Sequence, residues 1–170
     1  MSRQLITFEI EHQLFGIDIA AIREIRVWQA VTRIPGVPPH VIGVANLRGT
    51  IIPVLDIALR FGWAATETSE RHAIIVVEVA EQLYGLVAES VSDLVEIDGA
   101  SLQPPPALQD AAMAAFLEGI APGAGERLIM VLRLEQLVGS TIAGAPAPAQ
   151  APSAEPAEIA VALPSLRKGK

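Results

Sequence analysis

The chain has 170 residues, 51% of them hydrophobic, and a formal net charge of −7. That length suits one compact unit or two small subdomains sharing a core. The absence of cysteine excludes disulfides, thiolate nucleophiles and cysteine-ligated metals, and the negative charge opposes nucleic-acid binding, which needs Lys/Arg against phosphates.

Met1-Ser2-Arg3-Gln4 leads straight into an alternating segment, without the basic and apolar regions of a signal peptide. Leu5–Glu11 predicts a half-buried strand, His12-Gln13 a tight turn, and Leu14–Ile17 a return strand. Apolar residues at 19, 22 and 25 predict a short helical turn. Val31–Ile34 predicts a short strand stopped by Pro35, and Gly36, Pro38 and Pro39 forbid regular structure before His40. Val41–Leu47 and Ile51–Leu55 predict a hairpin around Arg48-Gly49-Thr50, with Pro53 marking an edge strand or a bulge. Asp56 caps a helix to about Phe61, with Gly62 as its stop.

Ala73–Val79, Leu83–Ala88 and Val91–Ile97 are further strands, Pro104–Pro106 a break, and Met113–Leu117 too short to assign. Arg127–Leu134 predicts a strand and Glu135–Val138 a short helix. No run of about 18 apolar residues occurs, so no membrane-spanning helix is expected and the location implied is cytoplasmic. From residue 143 the composition turns to Ala/Pro, predicting a disordered tail over 143–170 with a basic end, Leu166–Lys170. A short docking motif or a basic surface tether is the alternative for that tail.

Many short strands, few helices and frequent turns point to small barrels or a sandwich. A shift of 69 positions lays Ile6 on Ile75, Glu9 on Glu78, Gln13 on Gln82, Leu14 on Leu83 and Gly16 on Gly85. Ile22 then meets Val91 and Ile25 meets Leu94. This repeat predicts two similar β-subdomains, opened by equivalent hairpins near 5–17 and 74–86.

The search for chemistry finds no constellation. His12, His40 and His72 fall in turns or at strand edges, read as surface positions, and none has a metal-ligand spacing. No serine sits in a nucleophile elbow, and the glycines of 119–125 are not followed by a phosphate-binding lysine. Glu9/Glu11 and Glu96/Asp98 each share a strand face, the pattern of solvated acids as much as of an acid/base pair. All nine basic residues before position 143 are arginines, whose planar forks suit fixed ion pairs and protein interfaces.

Ile22-Arg23-Glu24-Ile25, Val31–Pro35, Ile42–Gly49 and Ile51–Asp56, followed by Gly85–Asp93 and Phe116–Ile120, together resemble the signature of the CheW family. The resemblance covers about residues 5–140. It implies a mainly β fold of two five-stranded SH3-like barrels with a few short helices in a CheW-like domain over 1–142, intertwined and followed by the tail. It implies no enzyme activity, no cofactor and no metal. The function it implies is chemotaxis coupling, linking the cytoplasmic tips of chemoreceptors to the regulatory domain of the histidine kinase CheA. Other CheW-like domains are further partners, nucleic acid is not one, and membrane association comes only through recruitment to receptor arrays. The alternative within the fold is a coupler for a non-flagellar pathway serving pilus motility or gene regulation. The alternative outside it is a small ligand-binding β-barrel or hydrolase, which needs a pocket with converging polar groups.

The partner-binding residues carried over are Ile22, Glu24, Gly43, Asn46, Leu47, Arg48 and Val91, with Gly49 as the structural turn. Ala45 stands where family members commonly have threonine. A partly buried Arg48 is expected to make a forked pair with Glu24, since a desolvated guanidinium needs an anion or carbonyls; the alternative is an exposed turn residue with its head in water. Ile22 and Val91 are expected in an aliphatic groove between the barrels, fit for the apolar face of a helical hairpin, with ordinary core as the alternative for both and close backbone approach as the alternative role of Gly43.

Overall fold

The computed structural model describes residues 1–106, 111–123 and 125–144. Ten strands run in chain order: β1 (Ser2–Ile10), β2 (Gln13–Asp18), β3 (Ile22–Val27), β4 (Val41–Leu47), β5 (Thr50–Asp56), β6 (Ala73–Val79), β7 (Gln82–Ala88), β8 (Ser90–Asp98), β9 (Leu117–Pro122) and β10 (Leu128–Leu132). Three short helices join them: α1 (Ile57–Arg60), α2 (Ala111–Ala115) and α3 (Leu134–Gly144). The strands form two five-stranded sheets of identical topology, β8-β1-β2-β10-β9 and β3-β6-β7-β5-β4.

The sequence repeat is a structural repeat down to its register. Phe8 faces Phe15 across β1–β2 as Val77 faces Tyr84 across β6–β7. Leu94 faces Ile6 as Ile25 faces Ile75, and each of these ladders carries a bulge at the same place. The repeats do not build one barrel each. The hairpin β1–β2 is completed by β8, β9 and β10, and the hairpin β6–β7 by β3, β4 and β5. Each barrel thus joins the opening hairpin of one repeat to the last three strands of the other.

Strand alternation explains the nearly continuous apolar runs. In β6, Ile74 and Val76 point into the second barrel with Leu47 and Ile52, whereas Ile75, Val77 and Val79 join the large cluster between the barrels. A strand buried on both faces needs hydrophobic residues at every position. The inter-barrel cluster takes Phe8, Phe15 and Ile17 from one sheet and Tyr84, Leu86 and Leu55 from the other, closed by Phe61 of the α1 C-cap and Leu137 and Val138 of α3.

Several local expectations are corrected. Ile22–Ile25 belongs to β3, and only Ile19–Ala21 forms a 3-10 turn, because pairing with β6 overrides the three-residue spacing. Val31–Ile34 is reduced to one bridge, Thr32 to Val44. Pro53 lies in an interior strand and is tolerated there because the β5–β7 ladder begins one residue later, at Val54. Strand β9 had no sequence signal of its own, holding Gly119 and Pro122, and is defined by its ladder to β10. Helix α3 runs from Leu134 to Gly144, longer than the Glu135–Val138 turn expected. The predicted tail from 145 onward lies outside the described residues.

Candidate functional site

Strands β4 and β5 meet in a two-residue turn in which both central residues have positive φ, Arg48 at 52° and Gly49 at 91°. This is the primed turn whose twist matches the flanking strands. Gly49 occupies its left-handed position without steric cost. Asn46 Oδ1 accepts a 2.8 Å hydrogen bond from Gly49 N, closing the turn. Asn46 is thus a turn former with an exposed side chain.

From this apex Arg48 Nη2 donates to Glu24 Oε2 at 2.8 Å. The expected pair exists, but its character differs. Arg48 is 70% exposed and makes one contact among the described residues, not a fork, while Glu24 is 26% exposed. Glu24 is also 3.7 Å from Arg26 Nη1. A forked pair does occur, at Arg3, which donates to both oxygens of Glu118 at 2.7 and 3.2 Å and to Asp18 at 3.2 Å. The hydrogen bond to Glu118, with the negative charges of Glu118 and Asp18, raises the Arg3 pKa against the opposing effect of burial.

Arg48 and Glu24 stand at the rim of an open groove. Leu47, Val76 and Leu83 form its apolar floor, and Arg23, Thr50, Glu78 and Glu81 complete its walls. Across the groove, Arg23 Nε donates to Glu78 at 2.7 Å. The surface alternates charge over an apolar base, which suits a partner that brings both.

Three of the residues carried over from the resemblance, Glu24, Leu47 and Arg48, line this groove, and two of them present side chains. Leu47 is 5% exposed and supports the floor from the core. Gly43 is buried as well. A Cβ there would lie 2.4 Å from the Thr32 carbonyl oxygen, so glycine is required for the Thr32–Val44 bridge. The second repeat has the same device, with Gly119 against the Gln103 carbonyl at 2.8 Å beside the Gln103–Ile120 bridge. Gly43 is therefore a packing glycine. Ala45 and Ala121, two residues on in each repeat, are both buried. Ile22 and Val91 hold equivalent half-buried places, facing Val77 and Phe8, and both pack on the inter-barrel cluster. They lie outside the Arg48 groove.

His40 is corrected from a surface residue. It is 6% exposed, its carbonyl accepts the Asp56 backbone N–H, and desolvation with Arg60 nearby lowers its pKa to about 4. Asp56 is buried too, its carboxylate accepting from Ala58 N at 3.0 Å, Thr66 N at 2.8 Å and Thr66 Oγ1 at 2.8 Å. Sequence reading saw it only as a cap. Glu9 pairs with Arg127 at 2.9 Å, and Asp98 caps the 3-10 turn after β8. These carboxylates do structural work, and no nucleophile–base pair with an oxyanion site is assembled among the described residues. Nor do three metal-binding side chains converge there.

Twin interlocked barrels with a charged, open groove define a docking protein. The profile of the CheW-like domain matches residues 4–141. The chain is 36% identical over 139 residues to the probable chemotaxis protein CheW of Rhizobium etli, covering 82% of this chain and 89% of that one. It is similar to the crystal structure of the scaffolding protein TtCheW from Thermoanaerobacter tengcongensis, with a TM-score of 0.73 and 35% identity, covering 81% and 88% of the two chains. At 28% identity over 117 residues it also matches Protein PilI of Pseudomonas aeruginosa, covering 68% of this chain and 65% of that one. The chain belongs to the CheW family. It is a coupling scaffold of chemotaxis and not an enzyme.

Proposed function

We propose that this protein bridges the cytoplasmic tips of chemoreceptors to the regulatory domain of the histidine kinase CheA, and is drawn through them to arrays at the membrane. No helix among the described residues is long and apolar enough to cross a membrane itself. The observation carrying the reading is the Glu24–Arg48 pair, held at the groove rim with two guanidinium nitrogens unused by the described residues. Glu24 orients the arginine, and the free edge of the fork is available to a carboxylate or carbonyl of a helical hairpin whose apolar side covers Leu83. Charged rims of this kind set orientation and partner choice more than affinity. Ile22 and Val91 support the docking face from the inter-barrel cluster.

A pull-down on receptor tips tests it. Arg48→Ala and Arg48→Lys both lose binding, because a point charge cannot serve Glu24 and a partner in fork geometry. Normal binding by the lysine variant refutes the role. The likeness to Protein PilI favours a second reading, the same bridging in a pathway that does not serve flagella. Deletion of the gene, with swimming and surface motility scored separately, distinguishes the two.

A further inference from the structure

The groove beside Arg48 is shared between the repeats. Glu24, Leu47, Arg48 and Thr50 come from the first, and Val76, Glu78 and Leu83 from the second. The same holds for the fold. The ladders β1–β8, β2–β10, β3–β6 and β5–β7 all join strands of different repeats. Only the hairpins β1–β2, β4–β5, β6–β7 and β9–β10 lie within one.

A single covalent segment, residues 61–72 between α1 and β6, connects the two repeats. It is exposed over most of its length. Phe61 at its start is buried in the inter-barrel cluster and Trp63 packs on it; beyond them its ties are few, Thr66 to Asp56 and His72 O accepting from Trp28 N. None of its residues belongs to a strand.

We infer that the face between the repeats is an assembly surface that a second copy of this chain fits: two chains exchange repeats about segment 61–72 and form a closed dimer. Each twin barrel, and each Arg48 groove, is then built from two chains. Every ladder of the monomer is recovered in the dimer, the condition under which exchanging an identical element costs little. Beyond Trp63 the segment reaches about 30 Å when extended, from roughly 3.3–3.6 Å per residue, the span available for passing from one composite body to the next. Intramolecular closure through a short flexible linker acts as an effective concentration of about millimolar. The monomer therefore prevails in dilute solution, and exchange competes at comparable concentration or when chains fold while crowded.

The cysteine-free sequence permits a direct test independent of receptor binding. Gln4 and Glu96 lie opposite each other across the β1–β8 ladder, and both are exposed. Such a pair has the spacing a disulfide needs. Full-length Gln4→Cys and Glu96→Cys chains are mixed, unfolded, refolded together at about 1 mM and oxidised. Exchange gives a two-chain species joined by a disulfide between the two variants, which stays dimeric by light scattering after reduction. Its share of the protein falls when the same mixture is refolded a hundredfold more dilute. A product that is monomeric, or a dimer that separates on reduction, overturns the inference. The double variant refolded dilute provides the intrachain disulfide as a marker.

Discussion

Tyr84 offers the sharpest test of the core. Its ring is fully buried between the barrels, and its hydroxyl finds no hydrogen-bond partner among the described residues. A buried hydroxyl without a partner costs about 1–3 kcal/mol of desolvation. The internal repeat supplies the remedy, because the equivalent position, Phe15, carries the same ring without the oxygen and is equally buried. Tyr84→Phe removes the penalty and retains the packing, so it is expected to stabilise by about 1–2 kcal/mol, or roughly 3–6 °C in Tm for a chain of this size. Burial also raises the Tyr84 pKa above its ordinary value of 10.0. With the folded value above the unfolded one, stability is intact below pH 10 and declines as pH rises beyond it, because the unfolded tyrosine loses its proton first. Thermal unfolding of both proteins at neutral pH and above pH 10 reads both effects. A variant that melts lower by about 2 °C or more would mean the hydroxyl has a partner worth roughly 0.5–1 kcal/mol, and the argument fails.

His40 has its folded pKa at about 4, below the ordinary 6.5, so the unfolded chain binds the extra proton. Stability should fall as pH drops from about 6.5 to about 4, and denaturant titrations of His40→Gln should show a flatter profile in that window. Gly43→Ala should cost about 2–4 kcal/mol, since its methyl meets the Thr32 carbonyl instead of a side chain that can move. Gly119→Ala should cost somewhat less, because the nearest atom there belongs to the Leu102 side chain. Asp56→Ala strips three hydrogen bonds from a buried carboxylate and releases the loop at Thr66, for an expected loss of about 3 kcal/mol by urea unfolding. Arg48→Ala should cost less than about 1 kcal/mol, because its ion pair is exposed, which separates a binding defect from a folding defect.

The duplicated hairpin was legible because an antiparallel ladder enforces a common spacing, so Gln13 and Gln82, or Gly16 and Gly85, recur at one offset. Which copy pairs with which was not legible. The exchange is decided where β2 passes through the 3-10 turn at Ile19–Ala21 and β7 passes through Glu89 directly into β8, and nothing in those residues states the destination. The second half of the repeat, Gly43-Val44-Ala45 against Gly119-Ile120-Ala121, was present in the letters at a different offset, and an insertion between the halves hid it. Arg48 was legible either as a partner of Glu24 or as an exposed turn residue, but not as both at once. Its left-handed backbone is a property of the two-residue turn, and the motif reads only as residue types. His40 resembled a loop residue because Pro38 and Pro39 precede it; only tertiary packing against α1 covers it.

The groove around Arg48 is the centre of this account, and control of kinase activity measures it most directly. Purified receptor-bearing membranes, CheA and this protein are combined, and CheA phosphorylation is followed with and without attractant. The wild-type chain should bring the kinase under receptor control, and Arg48→Ala, folded to the same stability, should leave it uncontrolled. Full receptor control with the Arg48→Ala protein would contradict the assignment of the groove as the docking face.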